Sequence, residues 1–391
     1  MENSQIIEKP VVNEDTPQSI PSKPRRMEEQ DVAKGIAIFL VMALHILVVH
    51  KAAYQVLALL AGFIMALFFF LSGLNFKPGK TYKENIIKRI KQILIPFLIY
   101  VLIITLIVGS YLMITGQSSF LDILKTLGNC LLGSQFSNQI GLKSGSMPLH
   151  WCLMIIWFII MLLSATFIFY GVVDLCLKSL YSFISISILL LSITILLGYL
   201  NFSLPFYLRE APTITVIMLF GALFKKYKIF ENPSKMWVII NSLVAYGLYL
   251  FVAILFRGGG FIMGGRLLGS FGPLEGLITI IYAIFGSYSF LNFCRLLTHV
   301  KGLKFILTYL GNNSVYYLLL HQMVKFFVQE IMNYHPSGMM MSSEVTEGLS
   351  FLVLFITIVI VTLYIILITF LKKKLKEMKS TKGAKENESI K

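Results

Sequence analysis

Asp31, Lys34 and His45 lie in one run, Asp31-Val-Ala-Lys-Gly-Ile-Ala-Ile-Phe-Leu-Val-Met-Ala-Leu-His45, that is otherwise almost wholly apolar. On a helix advancing about 100° and 1.5 Å per residue, Lys34 and His45 fall roughly 20° apart around the axis and about 16 Å apart along it. Asp31 lies about 40° to the other side of His45. An acid, a base and an imidazole therefore share one stripe of an apolar helix. An ionisable group inside such a helix is costly and faces the protein interior or a wet cavity. Imidazole is well suited to taking a proton near neutral pH. The alternative for His45 is a packing hydrogen bond. Taken singly, Lys34 reads as a snorkelling interfacial residue and Asp31 as a helix cap. The shared stripe makes His45, Lys34 and Asp31 a candidate catalytic group.

Two further constellations follow. The stretch Phe76-Lys-Pro-Gly-Lys80 through Lys88-Arg-Ile-Lys91 puts six cations within fifteen residues. Lys88, Arg89 and Lys91 suit the phosphate oxygens of a donor molecule, although a cytoplasmic loop of a membrane protein is basic in any case. The second is Gly311-Asn-Asn-Ser-Val-Tyr-Tyr-Leu-Leu-Leu-His321, a polar kink with another histidine. Irregular backbone at membrane depth is tolerated only where it is buried or lines a cavity, so His321 is a candidate for substrate contact or for orienting another residue. Packing explains it equally well. Glu275 and Arg266, near the outer end of an apolar segment, are candidates to meet a hydroxylated acceptor.

No P-loop, dinucleotide-binding glycine pattern, HExxH helix or GxSxG elbow is present, so the chemistry expected uses neither a metal nor a serine nucleophile. Cys130, Cys152, Cys176 and Cys294 have no metal-ligand spacing and read as isolated thiols.

The elements that must position these residues are membrane helices. The chain of 391 residues is 57% hydrophobic and only 14% charged, against about 25% charged in soluble proteins. Ten apolar segments, near 33–50, 53–76, 93–114, 149–173, 180–200, 211–224, 237–256, 274–297, 303–328 and 350–371, predict an all-α polytopic membrane protein of about ten spans. With the N-terminus inside, strict alternation places 27 of the 34 Lys and Arg on the cytoplasmic side, so both termini are expected there. Residues 1–30 read as a disordered tail, 31–371 as the membrane domain and 372–391 as a basic tail. The polar residues before the first apolar run favour a retained first span over a cleaved leader. The net charge of +15 is thus topological rather than a sign of nucleic-acid binding. The absence of a eukaryotic sorting signal points to a bacterial plasma membrane.

Several short motifs in register bring a family into view. Asp31-x2-Lys34-Gly-x9-His45, Phe68-Phe-Phe-Leu-Ser-Gly73, Ile95-Pro-Phe97, Trp157-Phe158, Phe220-Gly221 before Lys225-Lys226, and Gly311-x2-Ser314 through His321 together resemble acyltransferase family 3. The lysine form of the first motif is most similar to the fucose 4-O-acetylase-related branch. The resemblance implies acyl transfer from cytoplasmic acyl-CoA, with acetyl-CoA the expected donor, to a hydroxyl of a cell-surface glycan or lipid-linked saccharide. It implies His45 as the catalytic residue, Lys34 near the donor, and the basic loop as a coenzyme A contact. Polysaccharide-synthesis proteins would be natural partners. Where the family often has Arg-x-x-Arg, this chain has Arg89-Ile-Lys-Gln92, which shifts donor contact toward Lys88 or Lys91. A transporter or flippase for a lipid-linked saccharide is the competing reading. It leaves the Lys34–His45 register unexplained, and no internal repeat supports it.

Overall fold

A computed structural model describes residues 27–47, 62–200, 202–231, 234–255, 275–333 and 344–389. All of its regular elements among these residues are helical: α1 (Glu28–Ile46), α2 (Ile64–Leu74), α3 (Tyr82–Ile114), α4 (Phe120–Leu132), α5 (Ser134–Gln139), α6 (Met147–Leu153) and α7 (Ile156–Cys176), then α8 (Leu180–Tyr199), α9 (Ala211–Lys226), α10 (Lys235–Leu255), α11 (Glu275–Leu297), α12 (Lys301–Asn312), α13 (Ser314–Ile331) and α14 (Glu344–Ser389). Seven described helices are long and apolar enough to cross a membrane: α3, α7, α8, α11, α10, the stretch Pro205–Lys226 containing α9, and the part of α14 over Glu347–Lys374. These fall on seven of the expected segments. The segments near 33–50 and 53–76 run partly outside the described residues. The segment near 303–328 divides at Asn313, whose side-chain amide donates to the Tyr309 carbonyl (2.9 Å) while its own carbonyl receives the Tyr316 N–H (2.9 Å). The break falls inside Gly311-Asn-Asn-Ser314, as the polar kink predicts.

The bundle is held by two close backbone crossings. On α1, a Cβ at Gly35 would lie 2.0 Å from the Leu307 carbonyl oxygen of α12, and one at Gly311 would lie 1.8 Å from the Asp31 carbonyl oxygen. The α2–α9 crossing has the same design: Gly73 abuts the Met218 carbonyl and Gly221 the Phe70 carbonyl, at 1.8 and 2.1 Å for the added Cβ. Apolar solvent gives packed helices no hydrophobic advantage over lipid, so close approach through small residues carries the association. Around this centre, α8, α10 and α14 turn Ile188, Leu189, Leu243, Phe251, Phe355 and Leu363 outward. An outward apolar belt is what a lipid-facing surface requires.

Two local differences from the sequence expectation have physical causes. Helix α1 starts at Glu28, inside the segment expected to be a disordered tail, because Glu28 pairs with Lys304 at 2.6 Å and Gln30 accepts from Asn75 at 2.9 Å. Asp31 is therefore one turn inside the helix and not its cap. Residues 115–148, which join the expected spans near 93–114 and 149–173, contain α4 and α5. Ser119 and Asp122 form a reciprocal cap at the start of α4, and the Thr126 hydroxyl accepts from the Gly145 and Ser146 N–H groups at 3.2 and 2.8 Å. Helix α14 itself runs on through the basic tail to Ser389. All four cysteines are buried free thiols.

Candidate active site

His45 lies in the last turn of α1. Its ring stacks on that of His321 from α13, with centroids 5.6 Å apart and planes inclined by 26°. His321 is fully buried. Its Nδ1 sits 2.9 Å from the Tyr317 carbonyl and 2.8 Å from the Leu318 carbonyl. Carbonyls only accept, so the network assigns the proton to Nδ1 and leaves Nε2 as a lone pair. That Nε2 is buried with no hydrogen-bond partner among the described residues. A buried polar atom left open carries a desolvation cost, and an incoming hydroxyl would relieve it.

Lys325, one turn beyond His321 on α13, donates from Nζ to the His45 carbonyl at 2.6 Å. The end of a helix leaves carbonyls unsatisfied and carries the negative end of the helix dipole, so a cation there both caps and holds it. Lys325 thereby fixes the turn that carries His45. Cys152 of α6 approaches from a third side, its Sγ 4.0 Å from the Gln322 carbonyl. Tyr100 of α3 lies near Cys152, and its hydroxyl is buried without a partner among the described residues. Helices α1 and α13 thus supply the two imidazoles, with α3 and α6 packed against α13 beside them.

The opposite end of α1 is basic. Asp31 is buried, with Lys34 Nζ 3.5 Å from its Oδ1. The Gln30–Asn75 hydrogen bond ties this end to the end of α2, where the chain passes Phe76 into the cationic stretch. Lys225, at the end of α9, donates to the Phe76 carbonyl at 2.5 Å. Lys77, Lys80 and Arg89 lie close enough to Lys88 for mutual repulsion, and Lys77 lies similarly near Lys225. Arg89 is partly buried; its Nε donates to the Tyr170 hydroxyl of α7 at 3.1 Å, and its guanidinium sits 5.9 Å from that ring's centroid. A cluster of cations that repel one another is an anion site in waiting.

The expected residues thus form two groups. Lys34 and Asp31 meet at the basic end, with Lys88 and Arg89 on the adjoining surface; Lys91 is exposed there. His45 and His321 meet at the other end. Glu275 begins α11 with its side chain outside the described residues, and Arg266 lies outside them altogether. Sequence reasoning missed Lys325, although His321-x3-Lys325 is the spacing that puts two side chains on one helical face. It also missed Tyr100, Tyr170 and Lys225 as neighbours, because each is brought in by a helix crossing and not by spacing.

The family model described as an acyltransferase domain, of the acyltransferase 3 type, matches residues 28–371. No curated protein and no solved structure matches the chain.

Proposed function

The chain belongs to acyltransferase family 3, and from that premise we propose that it is a membrane O-acyltransferase, moving an acetyl or similar short acyl group from cytoplasmic acyl-CoA to a hydroxyl of a cell-surface or exported glycan. The observation that carries this reading is the layout of α1, with a cation cluster around one end and a stacked pair of imidazoles at the other. A coenzyme A donor is itself polarised in this way, with phosphates at one end and a thioester at the other.

At the basic end Lys88, Arg89 and Lys225 hold the donor's phosphates, with Lys34 beside them and Lys91 on the rim. At the other end His45 takes the proton from the acceptor hydroxyl as its oxygen attacks the thioester carbon. A neighbouring hydroxyl of the same acceptor donates to Nε2 of His321 and sets the ring's orientation. Lys34 is about 16 Å along the helix from His45, too far to meet the oxyanion that develops. Lys325, anchored on the His45 carbonyl, supplies that positive charge instead. The C–S bond then breaks, and the sulfur of the departing coenzyme A takes the proton from His45. Asp31 holds Lys34 in place. The setting proposed is a bacterial plasma membrane.

Purified protein in nanodiscs, supplied with acetyl-CoA labelled in the acetyl group, tests the reading. The expected result is release of free coenzyme A with label passing to an added glycan. Absence of coenzyme A release under every acceptor, with movement of a lipid-linked saccharide across vesicles, would establish the transporter reading in its place.

A further inference from the structure

Helix α3 repeats the layout of α1. Arg89, at its basic end, and Tyr100 are eleven residues apart, the same number that separates Lys34 from His45. Both helices run from the basic end toward the histidine end, α1 from Asp31 to His45 and α3 from Lys88 onward. Helix α13 runs the same way, since α12 before it crosses α1 near Asp31. Contacts farther along fix the register of α3 against α13. The Tyr111 hydroxyl donates to Glu330 Oε2 at 2.8 Å, and the Tyr111 ring meets those of Phe326 and Phe327 edge-on, with centroids 5.8 and 5.6 Å away. Counting back at about 1.5 Å per residue, Tyr100 lies about 16 Å before Tyr111, and His321 about 14 Å before Glu330. Tyr100 is thus nearly level with His321 along the bundle, slightly toward the basic end.

Its hydroxyl is open. Tyr100 is 6% exposed, and its oxygen is buried with no hydrogen-bond partner among the described residues. A buried tyrosine normally finds a partner, because an unpaired polar group away from water costs free energy. Elsewhere in the bundle that rule holds: the Tyr317 hydroxyl meets Thr362 Oγ1 at 2.6 Å, and that of Tyr249 accepts from the Gly62 N–H at 3.1 Å. Tyr309 is open too, but it lies on α12, which crosses α1 at Gly35, ten residues short of His45. Tyr100 instead shares a neighbour with the reacting end. Cys152 lies near both Tyr100 and Lys325, and its Sγ is 4.0 Å from the carbonyl of Gln322, next to His321.

We propose that Tyr100 is a catalytic residue whose hydroxyl donates a hydrogen bond to the carbonyl oxygen of the thioester during acyl transfer. The inference rests on the acyl-transfer reading above and assigns that reaction a donor for its oxyanion. A phenol, neutral at pH 7, suits the task. It keeps its proton, so the passage of the acceptor's proton to His45 and then to the coenzyme A sulfur is unchanged. Lys325 contributes charge, but its Nζ is already engaged on the His45 carbonyl. Tyr100 brings a donor with nothing else to bond, and a donor in place beforehand needs no reorganisation as charge develops.

The test uses the full-length protein in nanodiscs and the variant Tyr100→Phe, which removes the oxygen and keeps the ring. Coenzyme A release from acetyl-CoA is followed with methyl β-D-glucopyranoside, methyl β-D-galactopyranoside or water as acceptor. Infrared difference spectroscopy of acetyl-CoA labelled isotopically at the acetyl carbonyl reads the hydrogen bond itself and needs no acceptor. The variant should lose about 100-fold or more in kcat, with the KM for acetyl-CoA within about threefold, the pattern of an interaction made in the transition state. Its Tm should equal or exceed that of wild type, since an unpaired buried hydroxyl has been removed. The bound carbonyl should absorb at lower frequency in wild type than in the variant. Should Tyr100→Phe fail to insert, fluorotyrosine incorporated at Tyr100 decides, because a more acidic phenol donates more strongly and should lower the frequency further. Wild-type kcat in the variant, one carbonyl frequency in both proteins, or a loss of kcat that tracks a fall in Tm overturns the assignment and leaves acyl transfer standing. A wild-type protein that does not bind acetyl-CoA at all overturns the acyl-transfer reading, and this assignment with it.

Discussion

His45 and His321 belong to helices separated by most of the chain, yet their imidazoles stack at 5.6 Å. The two rings are not equivalent. Nδ1 of His321 is occupied by carbonyls of its own helix, whereas the His45 ring makes no hydrogen bond among the described residues and is held through its backbone by Lys325. His45 is therefore the ring that can gain and lose a proton without breaking a bond. Removing a general base typically costs about 10²–10⁴ in rate. His45→Ala is expected to lower kcat by at least about 100-fold, with the protein still inserted in the membrane. Coenzyme A release from the purified variant measures this, and wild-type rates would rule out the assignment.

His321 can be probed by choice of amide. Asparagine reaches about as far as Nδ1 and so can keep the bonds to Tyr317 and Leu318, whereas glutamine reaches the Nε2 position and can present an acceptor there. If the open Nε2 positions the acceptor, His321→Gln keeps roughly ten times more acyl transfer than His321→Asn, on the order of one hydrogen bond's worth. If the histidine serves only packing, asparagine is the better tolerated, and Tm and activity follow one another across both variants.

Much of this arrangement is legible in the sequence, and the reason is specific. Lys34 and His45 share a helix, so their relation follows from residue spacing alone, and the same holds for the break at Asn313, where Gly and Asn cluster. The stacking of His45 on His321 is different in kind, since it depends on how α1 crosses α12 and α13. The glycines that permit that crossing, Gly35 and Gly311, sit inside the motifs, but nothing in their spacing says which backbone each one meets. The fold around residues 115–148 was hidden for another reason: its stability comes from the Thr126 hydroxyl and backbone contacts twenty residues away, while its composition looks like a loop. Arg89 shows the limit in a single side chain, because its partner Tyr170 lies on a helix eighty-one residues distant.

The two glycine crossings predict a stability pattern. At Gly35 and Gly311 an added methyl meets a backbone carbonyl that cannot rotate away. Gly35→Ala and Gly311→Ala should each cost at least the 1–3 kcal/mol typical of overpacking, roughly, and shift α1, with loss of activity. Gly247 on α10 has nothing within 4 Å of an added Cβ, so Gly247→Ala should be neutral or stabilising by about 0.5–1 kcal/mol through helix propensity. Thermal unfolding in one detergent compares the three. A tolerated alanine at both Gly35 and Gly311 would show that α1 does not pack on α12 this closely.

The basic end of α1 yields a prediction that separates phosphate binding from chemistry. Arg89 and Lys225 are each anchored on the protein, to Tyr170 and to the Phe76 carbonyl, with Lys77, Lys80 and Lys88 around them. Cations fixed in this way hold phosphates without having to be ordered first, and a guanidinium offers a paired contact that an ammonium cannot. Arg89→Ala and Lys225→Ala should therefore each raise the KM for acetyl-CoA about tenfold, the order expected for one charge-assisted hydrogen bond, and leave kcat within about threefold. Arg89→Lys should recover only part of the loss, because lysine cannot reproduce the fork. Raising the salt concentration should increase the wild-type KM and do so less in the variants, as surface charge attraction is screened over about 10 Å at 0.1 M. The sharpest comparison uses acetyl-N-acetylcysteamine, a thioester donor with no phosphate. Its turnover should be slow but unaffected by Arg89→Ala or Lys225→Ala, while His45→Ala abolishes it. Equal losses with both donors would mean that these cations act on the thioester or on the fold, and the division of α1 into a binding end and a reacting end would not stand.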